Sequence, residues 1–428
     1  MNLLKIRMMK NREVIKSTLP ALIVLLCLYA CTPSVKHKNR IMKEDVNDYS
    51  SGTYGYDVAF FSGNNIETLE LSDPESEASI LVVPSFQGRV MTSTASGKGG
   101  TSFGWINYDL IRSGELSDQF NPFGGEERLW LGPEGGPFSI YFKQGEEQIF
   151  SNWKVPGVID TDTFEIKERG LQRITFTRNT ILRNASGTEF KLGIERKVSL
   201  LPMDSVSSIL NIDIPPGLNG VAYQSDNIIR NRGNFPWTRE RGLLSIWMLS
   251  MFNPTEATTV FIPYDQDGEG TIVNDDYFGK VPPDRLIVED GTIFFKIDGK
   301  YRSKIGVPYG RTKSLCGSYD SERKVLTLLW CSIPSNPHLY VNSKWGPQED
   351  SYNGDVINSY NDGPVEDGSV MGPFYEIETS SPGMELLPGE SMKHTQRIIH
   401  FQGDESALAR IVSGLFDLDL EEIAGKFQ

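Results

Sequence analysis

From Tyr54 onward, apolar and β-branched residues come in short runs separated by Gly, Pro, Asn and Asp, the way strands and turns alternate along a chain. Ala78–Met91 (ASILVVPSFQGRVM) is one such run, with a bulge or corner expected at Pro84 and Gly88. Arg173–Leu182, Phe190–Leu200, Ser207–Ile214, Thr258–Pro263, Thr292–Ile297 and Val325–Ile333 repeat the pattern, with turn signals at Asn184–Gly187 and Asp298–Gly299. Helical spacing stands out only in the tail, where Ala407, Leu408, Ile411, Val412 and Leu415 follow a cap at Asp404. Many strands, few helices and no clear linker or repeat predict an all-β fold. The expected architecture is one large antiparallel sandwich over residues 53–402, followed by a short helical tail at 403–428.

The N-terminus follows a different pattern. Lys5, Arg7, Lys10, Arg12 and Lys16 precede an apolar run from Leu19 to Leu28 that ends in Tyr29-Ala30-Cys31. A basic stretch, a short apolar core and small residues at the end make a signal peptide over 1–30, too short for a comfortable membrane span. The cysteine after Ala30 resembles the lipobox of bacterial lipoproteins, which implies lipidation at Cys31. Residues 31–52 are polar and aperiodic and are expected to be a flexible tether. The protein is thereby expected in the bacterial cell envelope, held by lipid at the outer membrane.

Composition narrows the function. The formal net charge is −14, which repels nucleic-acid phosphates and excludes nucleic acid as a partner. Four histidines and no zinc-type spacing leave no His-rich metal site, and no cofactor is expected. Calcium has a weak claim through the Asn/Asp-rich turns of 345–373, which include Asp355, Asn361 and Asp362; such turns also form unaided. Cys316 and Cys331 flank a turn-like segment and are open to either a disulfide or two buried thiols.

The chemistry concentrates in Asn121–Phe142 (NPFGGEERLWLGPEGGPFSIYF), where Glu126, Glu127, Arg128, Trp130 and Glu134 stand among glycines and prolines. Aromatics offer apolar faces and charges give direction, as a small-molecule cleft requires.

Several separated stretches resemble the galactose-mutarotase-like (aldose-1-epimerase-like) superfamily, including its bacterial lipoprotein members. They are Ala78–Met91 with its Gly88-Arg89 pair, the NPFGGEERLWLGPEGGPF element, NRGNFPWTRERGLLSIWM at Asn231–Met248, and FYEIETSSPGMELLPGESMKHTQRIIHF at Phe374–Phe401. The resemblance implies a β-supersandwich with a concave face that receives a sugar. It also implies a carboxylate base in a late strand, where Ile377-Glu378-Thr379 matches the pattern and Glu376 shares the strand face. The histidine acid of that family has no counterpart near Asn234–Met251; His338, after a strand end, is the remaining candidate. Arg89, Glu126, Arg128, Trp130, Glu134, Trp237, Asp355, Asn361 and Asp362 are the expected carbohydrate-binding residues, with Trp247 and Trp345 as further stacking platforms. His394 and His400 are expected to point outward or pair locally. Two functions stay open: epimerase-like or lyase-like proton transfer with Glu378 or Glu376 as base, and non-catalytic glycan binding.

Overall fold

The computed structural model describes residues 49–335, 339–365 and 367–428. The stretch expected to be a signal peptide, Cys31, nearly all of the expected tether and His338 lie outside the described residues. All strand pairing is antiparallel and forms three sheets. A three-stranded sheet joins β1 (Leu69–Ser72), β2 (Ser79–Val83) and β3 (Arg89–Thr94). A ten-stranded sheet runs β11 (Leu286–Glu289), β12 (Thr292–Lys296), β10 (Thr258–Pro263), β14 (Leu315–Asp320), β15 (Val325–Cys331), β18 (Ser391–Gly403), β8 (Leu218–Asn231), β7 (Glu189–Leu200), β6 (Arg173–Arg183) and β5 (Glu165–Arg169). A five-stranded sheet runs β13 (Ser303–Pro308), β16 (Asp355–Asn361), β17 (Tyr375–Ser380), β9 (Ser245–Phe252) and β4 (Arg128–Gly132).

The two larger sheets share one core. Ile305, Ile357, Ile377 and Ile246 from the five-stranded sheet cluster with Val260, Leu329, Tyr223 and Ile398 from the ten-stranded one. Polar bridges cross that interface: Thr379 Oγ1 donates to Gln396 Oε1 at 2.7 Å, and Gln396 Nε2 donates to Ser250 Oγ at 3.1 Å. β7 alternates buried and more exposed residues, as a strand with one open face should. β9, β16 and β17 are buried almost throughout, because both faces of the five-stranded sheet are covered. The other face of the ten-stranded sheet carries α3 (Met203–Leu210), α4 (Glu405–Phe416) and α5 (Leu420–Gly425), after the earlier α1 (Tyr54–Gly63) and α2 (Tyr108–Ser113).

The antiparallel all-β architecture and the C-terminal helix agree with the sequence. Asp404 caps α4 by accepting from Ala407 N at 3.0 Å. Pro84 and Gly88 bracket the expected corner between β2 and β3, where Gln87 and Gly88 take left-handed φ values of 60° and 63°. Two segments differ. The first half of Ser207–Ile214, expected as a strand, is the end of α3, because Met203, Val206 and Leu210 fall at helical spacing and Asn211 closes the helix at φ 55°; the second half is irregular. The chain at Tyr54 opens with α1, whose buried Tyr54, Asp57, Phe60 and Phe61 also follow a helical period.

Cys316 and Cys331 are free and buried. Burial pushes both thiols up, Cys331 to about 12, so neither is a reactive thiolate at neutral pH. His394 and His400, expected to point outward or pair locally, are both buried in the core and bonded to groups distant in sequence as well as near. β18 lies inside the ten-stranded sheet, with one face on the five-stranded sheet. His394 Nε2 meets Thr379 Oγ1 at 2.8 Å, and His400 Nε2 meets Glu126 at 3.0 Å.

Candidate functional site

β17 alternates sides, so Ile377 and Thr379 enter the core while Glu376 and Glu378 face the other way. Strand register decides which residues join them. Leu249 lies opposite both Glu378 and Arg128, and Trp247 lies opposite Trp130. On the other side Asn358 pairs with Glu378 and Tyr360 with Glu376; Lys304 and Gly306 stand opposite Tyr360 and Asn358. One face of the five-stranded sheet therefore collects Arg128, Trp130, Trp247, Glu376, Glu378, Asn358, Tyr360 and Lys304. Gly306 must be glycine here: a Cβ would sit 2.1 Å from Asp355 Oδ2 and 2.6 Å from Asn358 Nδ2.

The charges are paired inside an aromatic enclosure. Arg128 Nη2 donates to Glu376 Oε1 at 2.9 Å, and Lys304 Nζ to Glu378 Oε2 at 2.8 Å. Trp247 Nε1 donates to the same Glu378 oxygen at 2.9 Å. The Arg128 guanidinium lies 4.5 Å from the Trp130 ring centre, and Lys304 Nζ lies 5.0 Å from Trp247 and 5.4 Å from Tyr277. Tyr277 donates to Asp355, which also accepts from Asn274 Nδ2 at 2.8 Å, and Asn358 Nδ2 donates to the Tyr277 hydroxyl at 3.1 Å.

Burial sets the protonation of the carboxyls. It pushes Glu376 up to about 7, with Glu378 adding to the shift and Arg128 and Lys304 opposing it. Glu134, half-buried beside Trp345 and Trp153, is likewise raised by burial to about 7; Lys304 opposes and Glu378 adds. Asp355 is raised by burial to about 6, against its bonds from Tyr277 and Asn274. Burial works against the Lys304 charge, yet Glu378 beside it holds its pKa above the usual lysine value.

Four polar atoms here are buried without a hydrogen-bond partner: Arg128 Nε and Nη1, Trp130 Nε1 and Glu378 Oε1. Buried polar groups are normally satisfied, so three spare donors beside a spare acceptor are a site-like feature.

The structure brings Glu376, Glu378, Arg128 and Trp130 onto one face, with Glu134 and Asp355 in electrostatic contact with it. Trp247, expected as a stacking platform, is there too, whereas Arg89, Glu126, Trp237, Asn361 and Asp362 are not. Arg89 is buried beside the stacked rings of Phe86 and Phe123 and donates to Gly124 O and Gln87 Oε1. Burial, with Arg128 nearby, lowers its pKa to about 9. Glu126 is spent inside, on Ser93 Oγ at 2.8 Å and on His400. Trp237 packs edge-on against Phe190. Asn361 falls on the opposite face of β16 from Tyr360 and clamps Gly299 N and Tyr301 O. Asp362 ties Tyr360 to the Gly372 backbone.

Lys304, Tyr277, Asn274 and Trp153 escape the sequence reading. A lysine inside the otherwise apolar run SKIGVP was the available signal for Lys304. Tyr277 and Asn274 lie in an irregular loop with no pattern to mark them. Among the described residues no group of three or more His, Cys, Asp or Glu side chains is spaced to hold a metal ion.

Solved structures similar to this chain include three of low identity. The Slr1438 protein from Synechocystis sp. PCC 6803 is 13% identical, with a TM-score of 0.49, 79% of this chain covered and 96% of that one. A putative aldose 1-epimerase from Escherichia coli K12 is 8% identical, with a TM-score of 0.47 and coverages of 79% and 100%. A galactose mutarotase related enzyme from Lactobacillus acidophilus is 9% identical, with a TM-score of 0.44 and coverages of 79% and 99%. No curated protein sequence matches. A family model matches residues 52–427, and the chain belongs to that family, a family of unknown function (DUF6786).

Proposed function

We propose that this protein recognises a carbohydrate on the face formed by β4, β9, β17, β16 and β13. The carrying observation is the set of unpartnered atoms at Arg128, Trp130 and Glu378 beside the edge-to-face indoles of Trp130 and Trp247. A sugar hydroxyl donates and accepts at once, so it can satisfy Arg128 and Trp130 on one side and Glu378 on the other. Its C–H faces suit Trp130 and Trp247. Lys304 is the most exposed ion-pair partner on this face, with 12% of its side chain accessible. Entry of a pyranose therefore requires the loop carrying Tyr277 to move aside.

The same geometry suits proton transfer. Glu378, held by Lys304 and Trp247, is the carboxylate that takes a proton. Glu134 or Glu376, near 7, is partly protonated at neutral pH and can return one where a histidine acts in mutarotase-like enzymes. The second reading, capture without turnover, rests on the buried cations themselves: Arg128 and Lys304 neutralise both candidate bases. A glycan array and thermal-shift screen, followed by Glu378→Gln, tests both. Loss of turnover with binding retained supports catalysis; binding without turnover of any sugar leaves capture; no carbohydrate binding at all sinks the proposal.

The Cys31 lipid tether and the envelope location belong to the same proposal and rest on the N-terminal pattern alone. Incorporation of a labelled fatty acid that persists in Cys31→Ser overturns them.

A further inference from the structure

Phe150 and Ile149 stand 67% and 44% exposed, and the fold gains nothing evident from showing them to water. The segment presenting them is held firmly. It forms a 3-10 turn at Phe150–Asn152, with Asn152 N bonded to Ile149 O at 3.0 Å, Trp153 N to Phe150 O at 3.2 Å, and the Gln119 amide to Phe150 O. From Phe150 an unbroken series of rings leads inward. Phe150 stacks on Trp153 with centroids 6.0 Å apart, Trp153 meets Phe120 at 5.5 Å, Phe120 meets Trp130 at 5.5 Å, and Trp130 meets Trp247 at 5.5 Å. Trp247 then donates to Glu378. The exposed ring is thus the outer end of the wall whose inner end holds the unpartnered atoms.

We propose that the ligand is an oligosaccharide rather than a free monosaccharide, with the outer face of Phe150 as a subsite for a sugar beyond the one at Glu378. This rests on the carbohydrate reading and extends it to chain length. A rigidly presented aromatic face is what such a subsite needs, because little conformational entropy is lost when it is covered. Three rings, those of Trp153, Phe120 and Trp130, intervene between it and Trp247, so a single sugar at Glu378 is not expected to touch it.

The experiment is calorimetric titration of the mature chain with neutral and uronic sugars, each as a series from the monosaccharide to the hexasaccharide. Affinity is expected to rise at least tenfold from one sugar to three. Phe150→Ala should weaken trisaccharide binding roughly three- to tenfold, the scale of one aromatic contact, with monosaccharide affinity and the melting temperature unchanged. Equal affinity for all lengths, with monosaccharides bound, overturns this inference and leaves the carbohydrate reading intact. Failure of every sugar at every length removes both. If Phe150→Ala spares the length dependence but changes the sedimentation of the protein, the patch belongs to self-association and the inference falls.

Discussion

At the scale of single residues, the site is a set of long-range pairs. Arg128 and Glu376 are 248 positions apart, and Lys304 and Glu378 are 74 apart. Lys304 and Glu378 are buried, so removing one partner strands a charge. Lys304→Met is expected to cost about 3–5 kcal/mol, and the double variant K304M/E378L to recover most of that, because replacing both ions removes the desolvation penalty with the attraction. Chemical denaturation of both variants checks this; a cost below about 1 kcal/mol for K304M would mean the pair is solvated. Legibility at this scale was uneven. Glu376 and Glu378 could be singled out because strand alternation and the Ile-Glu-Thr pattern both mark them. Lys304 and Tyr277 could not, because their roles come from what packs over them. Arg89, Glu126, Asn361 and Asp362 have the side-chain types of a binding site, yet the hydrogen bonds they make go to groups inside the fold, with Arg89 Nε and Glu126 Oε2 left without a partner.

At the scale of elements, period decided what could be read. α4 was legible because its apolar residues keep helical spacing and Asp404 caps it. The run Ser207–Ile214 reads as strand from the sequence because so short a stretch is equally compatible with both periods, and Pro202 before α3 with Asn211 after it settles the matter only in context. β9 and β17 show why buried strands mislead: with both faces covered, SIWMLSMF carries no alternation to tell the core side from the site side. The short β4 strand gains its place from β9, and that register carries Arg128 and Trp130 to the carboxylates.

At the scale of the whole molecule, burial has been imposed on several carboxyls at once, with a consequence for pH. Glu134 and Glu376 are held at about 7 against an ordinary 4.5, and Asp57 and Asp355 at about 6 against 3.8. The folded state keeps protons that the unfolded chain has already released, so stability falls as pH rises from about 4.5 to about 7. His394, lowered by burial to about 4 from 6.5, works the other way across that interval. Four carboxyls outweigh one imidazole. The urea midpoint is therefore expected to be higher at pH 5.5 than at pH 7.5, with a shallower slope in Glu134→Gln; a flat profile would show these carboxyls to be hydrated.

By itself the sequence determined the antiparallel all-β class, the corner at Gly88, the C-terminal helix and the strand face shared by Glu376 and Glu378. Each of these depends on local spacing and backbone preference, which the residue order carries directly. Only the tertiary structure decided that Arg128 and Lys304 meet those carboxylates, that the histidines of β18 lie inside, and that Phe150 ends an aromatic wall. Those outcomes depend on register between distant strands and on which polar groups are left without partners once the chain has closed.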